Sequence, residues 1–588
     1  MTPSSTRLFD FIDQQLETHP LEVSVTGKVG GTWNGYSTSG LIDKSYQLAN
    51  ALLDAGIRPD DKVAIISTTN RPEFNVVDLA VLRIGAVDVP IYPTITRPEF
   101  NYILQDCGAK MVFVSDRELY EDIQSLRTNL PNIKAVYIFD EEEGCDNWET
   151  LVEKGSTSKE RVKELSDKVN SEQLATLIYT SGTTGTPKGV MLSHKNIASN
   201  VLASADRLPI GPGSKSLSFL PLCHIYERML GYLYVHKCSQ IYYAESLETI
   251  GDDMKEVNPD IFTAVPRLLE KVYEKIVGKG SELTGVKKKL FFWALELAED
   301  FDVYGKNGWW YGVKLGVARK LIFSKWQEAL GGNVKLVASG SAALSPRLCR
   351  IYNAAGIPVM EGYGLTETSP VCSVNEMKNK GFRFGTTGRA IEDVQIKIAE
   401  DGEILIKGPN VMMGYYNKPE KTAEVIDEDG WFHTGDIGKL EDGEYLKITD
   451  RKKEIFKTSG GKYIAPQVME NSFKQSRFIE QIIVIGENQK HPSALVVPSF
   501  EFLKSYCEEK GMDYISDESI CTNEQIISRV MEEVDKYNQE YSKYERVKKI
   551  VLLPKAFTID GGELTPTMKL KRRVVCEKYA SEIDGIYC

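Results

Sequence analysis

The sequence predicts an α/β fold: a large N-terminal domain of parallel sheets covered by helices, a β-rich subdomain closing it, and a smaller α+β C-terminal domain. Three observations carry that reading. From about residue 40 to 370, amphipathic helical stretches alternate with short apolar runs. After about Gly385 the texture changes to two-residue alternation punctuated by Asp-Gly turns. From Asp450 a smaller unit begins, built around a long amphipathic helix. At 588 residues the chain has room for about three or four units of roughly 150 residues each.

Taken in order, SYQLANALLDAG reads as an amphipathic helix and DKVAIIST as the strand that follows it. AKMVFVSD, AVYIFD, LATLIYT, SLSFLPL, QIYYAES, DIFTAVP and VKLVASG continue the series. Near-continuous apolar strands separated by helices belong to parallel sheets buried on both faces. Residues 275–330 form a helical insertion containing KKKLFFWALELAEDF and WWYGVKLGVARKLIFSKW. Two readings of it stand. Its aromatics pack on the sheet domain as core, or Phe291, Phe292, Trp293, Trp309 and Trp310 touch a membrane surface beside Lys287, Lys288, Lys289 and Lys306. The second reading implies weak, salt-sensitive peripheral association.

Within residues 385–449, QIKIAEDGEILIKG predicts a hairpin about Asp401-Gly402. Asp429-Gly430 and Asp442-Gly443 punctuate the rest of that subdomain. In residues 450–588, NEQIISRVMEEVDKYNQEYSKYE predicts a helix with Ile526, Val530, Val534, Tyr537 and Tyr541 on one face.

Hydrophobic residues make up 42% and charged residues 26% of the chain, which disfavours disorder, collagen and disulfide scaffolds. With 71 Lys and Arg against 83 Asp and Glu, the net charge of −12 lacks the footprint of a nucleic-acid binder. Ten cysteines form no CxxC pair and six histidines no HxxxH or HExxH spacing, so zinc is disfavoured and a reducing compartment fits. Acidic residues stand where a signal peptide needs its apolar core, and no apolar run reaches the roughly 18 residues of a membrane span. The expectation is a soluble, cytoplasmic chain.

The strongest chemical signal is YTSGTTGTPKGVMLSH, residues 179–194. A buried strand runs into a loop carrying Thr180, Ser181, Gly182, Thr183, Thr184, Gly185 and Lys188. Small residues let backbone N–H groups converge on an anion, hydroxyls add donors, and Lys188 adds a charge. It is not a Walker A loop, because Lys188 stands between Pro187 and Gly189 rather than before Ser or Thr. EGYGLTE passes near a dinucleotide fingerprint through Gly362 and Gly364, but the third glycine is absent.

Together with VMEGYGLTETSP (359–370), GWFHTGDIG (430–438), DRKKEIFKTSGGKYIAP (450–466) and LTPTMKLKRR (564–573), this segment resembles the ordered motifs of the acyl-adenylate-forming superfamily of AMP-binding enzymes. The resemblance implies activation of a carboxylate by ATP to acyl-AMP and pyrophosphate, then transfer to a thiol. It implies that Ser181, Thr183, Thr184 and Lys188 hold the β- and γ-phosphates, that Thr366 donates to the α-phosphate, and that Glu367 holds Mg²⁺. Tyr363 and Gly364 would meet the adenine, and Asp436 the ribose hydroxyls with support from Arg451. Lys453 and Lys457 would contact phosphate or face solvent. Lys569 would bridge carboxylate and α-phosphate during adenylation. His224, in LPLCHIYE, would stand beside the carboxylate and the pantetheine path, or is a core histidine.

Asp450 would be the hinge of a mobile C-terminal domain, whose rotation withdraws Lys569 and brings Ser459, Gly460 and Gly461 to the coenzyme A path. VPRLLEKVYEKI, the insertion after it and GSAALSP look like the long-chain fatty-acid–CoA ligase branch, with Gly340, Ser341 and Ala342 at the acyl chain. The implied partners are fatty acid, ATP, Mg²⁺ and coenzyme A, with no nucleic acid and no obligate protein partner. No carrier domain is expected after the last motif, whereas one usually follows a peptide-synthetase adenylation domain. An acyl-carrier-protein ligase is one alternative. A catalytically silent sensor is the other, and Lys188, Glu367, Asp436 and Lys569 together argue against it.

Overall fold

The computed structural model describes residues 5–180, 186–246, 248–378, 380–559, 561–565 and 570–587. Every strand expected between residues 61 and 340 forms, and these strands divide between two sheets. The first has seven strands in the order Gly414–Tyr415, Lys188–Ser193, Leu174–Thr180, Val87–Ile91, Lys62–Ile66, Met111–Val114 and Ala135–Ile138. The second has nine: Arg389–Ala390, Val371–Val374, Val359–Gly364, Leu336–Ser339, Ile261–Ala264, Lys215–Ser218, Gln240–Tyr243, Val25–Val29 and Thr32–Tyr36.

The expectation of parallel sheets needs one correction. Both sheets are parallel in their centres; the nine-stranded sheet is antiparallel at both edges and the seven-stranded sheet at one, its other edge strand Ala135–Ile138 pairing parallel. The reason is connection length. Only residues 181–187 separate Leu174–Thr180 from Lys188–Ser193, and a parallel return needs a dozen residues or more. The two strands accordingly pair antiparallel, with Thr180 opposite Lys188.

The β-rich subdomain is a four-stranded antiparallel sheet, Gln395–Ile398, Glu403–Lys407, Phe432–Glu441 and Tyr445–Arg451. Asp442 and Gly443 both take positive φ in its last turn, the conformation that makes Asp-Gly a hairpin signal. The C-terminal unit carries a three-stranded sheet, Ile479–Ile485, Ser493–Pro498 and Ile550–Leu552. Its predicted long helix is Glu524–Asn538, with Ile526, Val530 and Val534 fully buried. It ends earlier than expected because the Asn538 side chain bonds both the carbonyl and the N–H of Val547, folding the chain back.

The insertion resolves into helices Pro266–Ser281, Gly285–Glu299, Gly308–Ala318 and Ser324–Ala329, with a wide turn at Arg319–Phe323. Its aromatics divide. Phe291 is buried, and Phe292 and Trp293 pack half-buried against the same core, whereas Trp309 and Trp310 are exposed.

Candidate active site

The predicted polar residues gather where strands of the two large sheets end, the usual place for a ligand site in open α/β sheets. Val359–Gly364 leads into the short turn Thr366–Thr368. Backbone and amide bonds fasten that turn to the seven-stranded sheet. The Met412 N–H donates to the Glu367 carbonyl (2.9 Å), the Met413 N–H to Met191 (3.0 Å), and the Asn410 amide to Thr368 (3.0 Å). Thr366 and Glu367 are thereby brought to the strand that Lys188 opens.

Between them stands a residue the sequence reading missed. The Tyr415 hydroxyl donates to Glu367 Oε1 at 2.8 Å, and the Lys188 ammonium lies 4.2 Å from the centre of the Tyr415 ring. Tyr415 thus fixes an acid with its oxygen and a cation with its ring face. Burial holds Lys188 below the ordinary lysine range; Glu367 opposes that shift, and the nearby charge of Lys453 adds to it. The signal available in sequence was only GYY after MM, with no periodicity to set Tyr415 apart.

A second group forms beside the first. The Tyr363 hydroxyl donates to Asp436 Oδ2 at 2.7 Å, and Arg451 Nε lies 3.2 Å from Asp436 Oδ1. Asp436 and Arg451 are cross-strand partners in the β-rich sheet, so pairing register alone aligns them. Burial and the Asp436 carboxylate together push the Tyr363 phenol well up, so it stays a donor. Gly364 has a steric reason to be glycine, since a Cβ there would come within 1.8 Å of the Pro370 carbonyl oxygen.

His224 caps the helix Ile225–His236, its Nδ1 accepting from the Tyr226 N–H at 3.2 Å. The neutral ring then carries its proton on Nε2 and faces its surroundings as a donor, not a base. Tyr226 also covers Gly340: a Cβ on Gly340 would lie 3.0 Å from Tyr226 Cζ. Ser341 follows with φ of 70°, turning the chain out of Leu336–Ser339 toward Ala342.

Several predicted residues lie elsewhere. Ser459, Gly460 and Gly461 are exposed in the turn between Phe456–Lys457 and Tyr463–Ile464, and the Ser459 N–H donates to the Gln489 carbonyl at 2.9 Å. Lys457, also exposed, sits 4.5 Å from the centre of the Tyr463 ring. Asp450 is fully buried, accepting from the Arg451 N–H (2.6 Å) and from the Gln467 N–H (3.0 Å) in the first turn of Pro466–Phe473. It joins the last strand of the β-rich sheet to the first helix of the C-terminal unit. Ser181, Gly182, Thr183, Thr184, Gly185 and Lys569 lie outside the described residues.

Acidic, basic and phenolic groups collected at strand ends mark an α/β enzyme of the nucleotide-handling class. Comparison with known proteins makes the assignment definite. The family model for the AMP-binding enzyme matches residues 12–416, and that for the AMP-binding enzyme C-terminal domain matches residues 453–588. The chain is 32% identical over 568 residues to long-chain-fatty-acid–CoA ligase FadD15 of Mycobacterium bovis, covering 95% of this chain and 93% of that one. It is 33% identical to human long-chain-fatty-acid–CoA ligase 1, covering 94% and 82% respectively, so the likeness runs through both units. The anthranilate CoA ligase AuaEII, solved with anthranoyl-AMP, superposes with a TM-score of 0.76 over 99% of each chain at 18% identity, a likeness of fold. The chain belongs to the AMP-binding enzyme family, in its long-chain fatty-acid–CoA ligase branch.

Proposed function

We infer that the protein is an AMP-forming long-chain fatty-acid–CoA ligase. The fatty-acid carboxylate attacks the α-phosphorus of ATP, pyrophosphate leaves, and the thiol of coenzyme A then displaces AMP from the acyl carbon. The observation that carries the reading within this chain is the Lys188–Tyr415–Glu367 group at the start of the strand Lys188–Ser193. It offers a cation to phosphate oxygens and a carboxylate oriented beside them, as a reaction between two anions requires.

The reading gives each side chain a role. Lys188 neutralises β- and γ-phosphate charge, with Ser181, Thr183 and Thr184 donating from the loop. Thr366 reaches the α-phosphate. Asp436, a carboxylate aligned by Tyr363 and Arg451, is the acceptor for the two ribose hydroxyls. Tyr363 presents its ring to the adenine beside Gly364. Lys569 stands between the two anions in the first half-reaction, and His224 donates through Nε2 near the carboxylate. The acyl chain runs past Gly340, Ser341 and Ala342 under Tyr226.

Glu367 suits a magnesium ion. One of its oxygens is held by Tyr415 and the other remains, and no cluster of three or more metal-type side chains occurs among the described residues. A single carboxylate shared with nucleotide phosphates is how Mg²⁺ is commonly held, and the ion would supply neutralisation of phosphate charge.

Pyrophosphate release tests the reading, measured over a panel of carboxylic acids with and without coenzyme A. Long-chain acids should release pyrophosphate without thiol in a single turnover, and thioester should require coenzyme A. Absence of release with every fatty acid would overturn the assignment.

A further inference from the structure

The helix Gly308–Ala318 and the turn Arg319–Phe323 after it carry a surface that the chemistry above does not use. Trp309 is 77% exposed, Trp310 57%, Leu321 50%, Val313 46% and Val317 45%. At about 100° per residue these five side chains fall within roughly 120° of arc. Leu315, buried, and Tyr311, whose hydroxyl donates to the Leu297 carbonyl at 2.8 Å, lie on the opposite side and fix the helix to the body. The apolar arc is therefore left outward by the packing of the helix itself. A contiguous stripe headed by two tryptophans is more than the scattered apolar residues any surface shows.

Charge identifies the occupant. Residues 303–327 contain no Asp or Glu, although the whole chain carries a net charge of −12. Lys306, Lys314, Lys320 and Lys325 are exposed along this segment. Net negative charge repels the protein from an anionic bilayer, whereas a patch without acidic residues attracts it and orients it. Tryptophans favour the headgroup boundary and lysines the phosphate layer. No helix among the described residues is long and apolar enough to cross a membrane, so contact through this face is interfacial.

We propose that the face formed by Trp309, Trp310, Val313, Val317 and Leu321, with its four lysines, docks the protein on an anionic lipid bilayer. The argument rests on the surface and does not require the ligase reading. Of the aromatics in the insertion, Phe291, Phe292 and Trp293 belong to the core and take no part.

Flotation of the full-length protein tests this, with vesicles of phosphatidylcholine mixed with phosphatidylglycerol against vesicles of phosphatidylcholine alone. The protein should float with the anionic vesicles at low salt and be released at high salt. Each Lys→Gln change at positions 306, 314, 320 and 325 should weaken partitioning by about fivefold, and these surface changes leave the fold intact. Brominated acyl chains should quench tryptophan fluorescence in the native protein. Trp309→Phe with Trp310→Phe should abolish that quenching while flotation persists. Absence of flotation at low salt overturns the proposal, as does flotation unchanged by the lysine substitutions. A dimer that forms in solution and is lost on Trp309→Ser with Trp310→Ser, in a protein that does not float, also overturns it and assigns the face to a second copy.

Discussion

Replacing Tyr415 by Phe removes one oxygen atom from the centre of the site and leaves its shape unchanged. Tyr415 is only 4% exposed, and its hydroxyl meets Glu367 at 2.8 Å. A hydrogen bond to a charged group contributes about 1.5–3 kcal/mol, and each 1.36 kcal/mol is about tenfold in rate, which brackets the effect at roughly 10- to 150-fold. Glu367 is half-exposed and can recruit water when the phenol is gone, so the lower end applies: about tenfold in kcat/KM for ATP. The loss should appear as a raised requirement for Mg²⁺ and ATP together, because the freed carboxylate no longer points one way. The KM for fatty acid should hold. Tyr415→Leu also deletes the ring beneath Lys188 and should lose more, since a partly buried cation–π contact adds about 0.5–2 kcal/mol. Pyrophosphate release titrated with Mg²⁺ and ATP, alongside circular-dichroism melting to confirm the fold, reads both. If Tyr415→Phe stays within twofold of wild type at limiting Mg²⁺, Tyr415 does not orient Glu367 and the metal assignment falls with it.

Three further outcomes are expected. Lys569→Ala should lose acyl-AMP synthesis by several orders of magnitude yet still convert supplied acyl-AMP and coenzyme A to thioester; equal loss in both half-reactions refutes the division of labour. Gly364→Ala should lower Tm by several degrees and impair both half-reactions, because a Cβ 1.8 Å from the Pro370 carbonyl forces the backbone apart; an unchanged melting curve removes the steric account. Asp450 is held up to about 7, chiefly by burial, against an ordinary aspartate value near 4. The folded state therefore keeps a proton that the unfolded state has lost, and stability falls as pH rises from about 4 to 7. Asp450→Asn should flatten that decline in urea melts across the same interval, and a parallel decline in the variant would locate the slope in other groups.

What was legible in the sequence, and what was not, follows from the range of the forces involved. Strands such as LATLIYT and VKLVASG announce themselves because burial on both faces demands an apolar run. The strand Lys188–Ser193 does not, since KGVMLS reads as the tail of a loop until Leu174–Thr180 pairs with it. Edge strands of two residues, as at Gly414–Tyr415, carry no pattern at all, and Tyr415 was lost with them. Lys188, Glu367 and Asp436 were found by motif, but that a tyrosine joins the first two depends on contacts between segments more than 200 residues apart along the chain, from Lys188 to Tyr415. Phe291 and Trp309 look alike in sequence; packing alone buries one and exposes the other.

The same reasoning bears on how the two units meet. The buried apolar clusters of the described residues keep to one side or the other: two draw on residues from Leu8 to Leu446, and two on residues from Phe456 to Ile586. Ion pairs cross the boundary. Arg477 meets Glu299 at 2.9 Å, and Arg267 reaches Glu480 while also holding Glu270 at 3.3 Å. The space between Pro266–Ser281 and the C-terminal unit is lined by charged groups, Arg347 and Glu501 among them, and by apolar side chains such as Val277, Phe292, Ile479 and Phe502. An apolar core shared across that boundary would bind the halves into one unit, whereas a partly exposed ion pair such as Arg477–Glu299 adds little net stability and exchanges for water readily. We propose that this mixed seam permits rotation about Asp450, whose carboxylate stays bonded to both sides of the junction. Under that proposal, a hinge buried in its own hydrogen bonds would let one small domain present Lys569 and then the Ser459–Gly461 turn without unpacking either core.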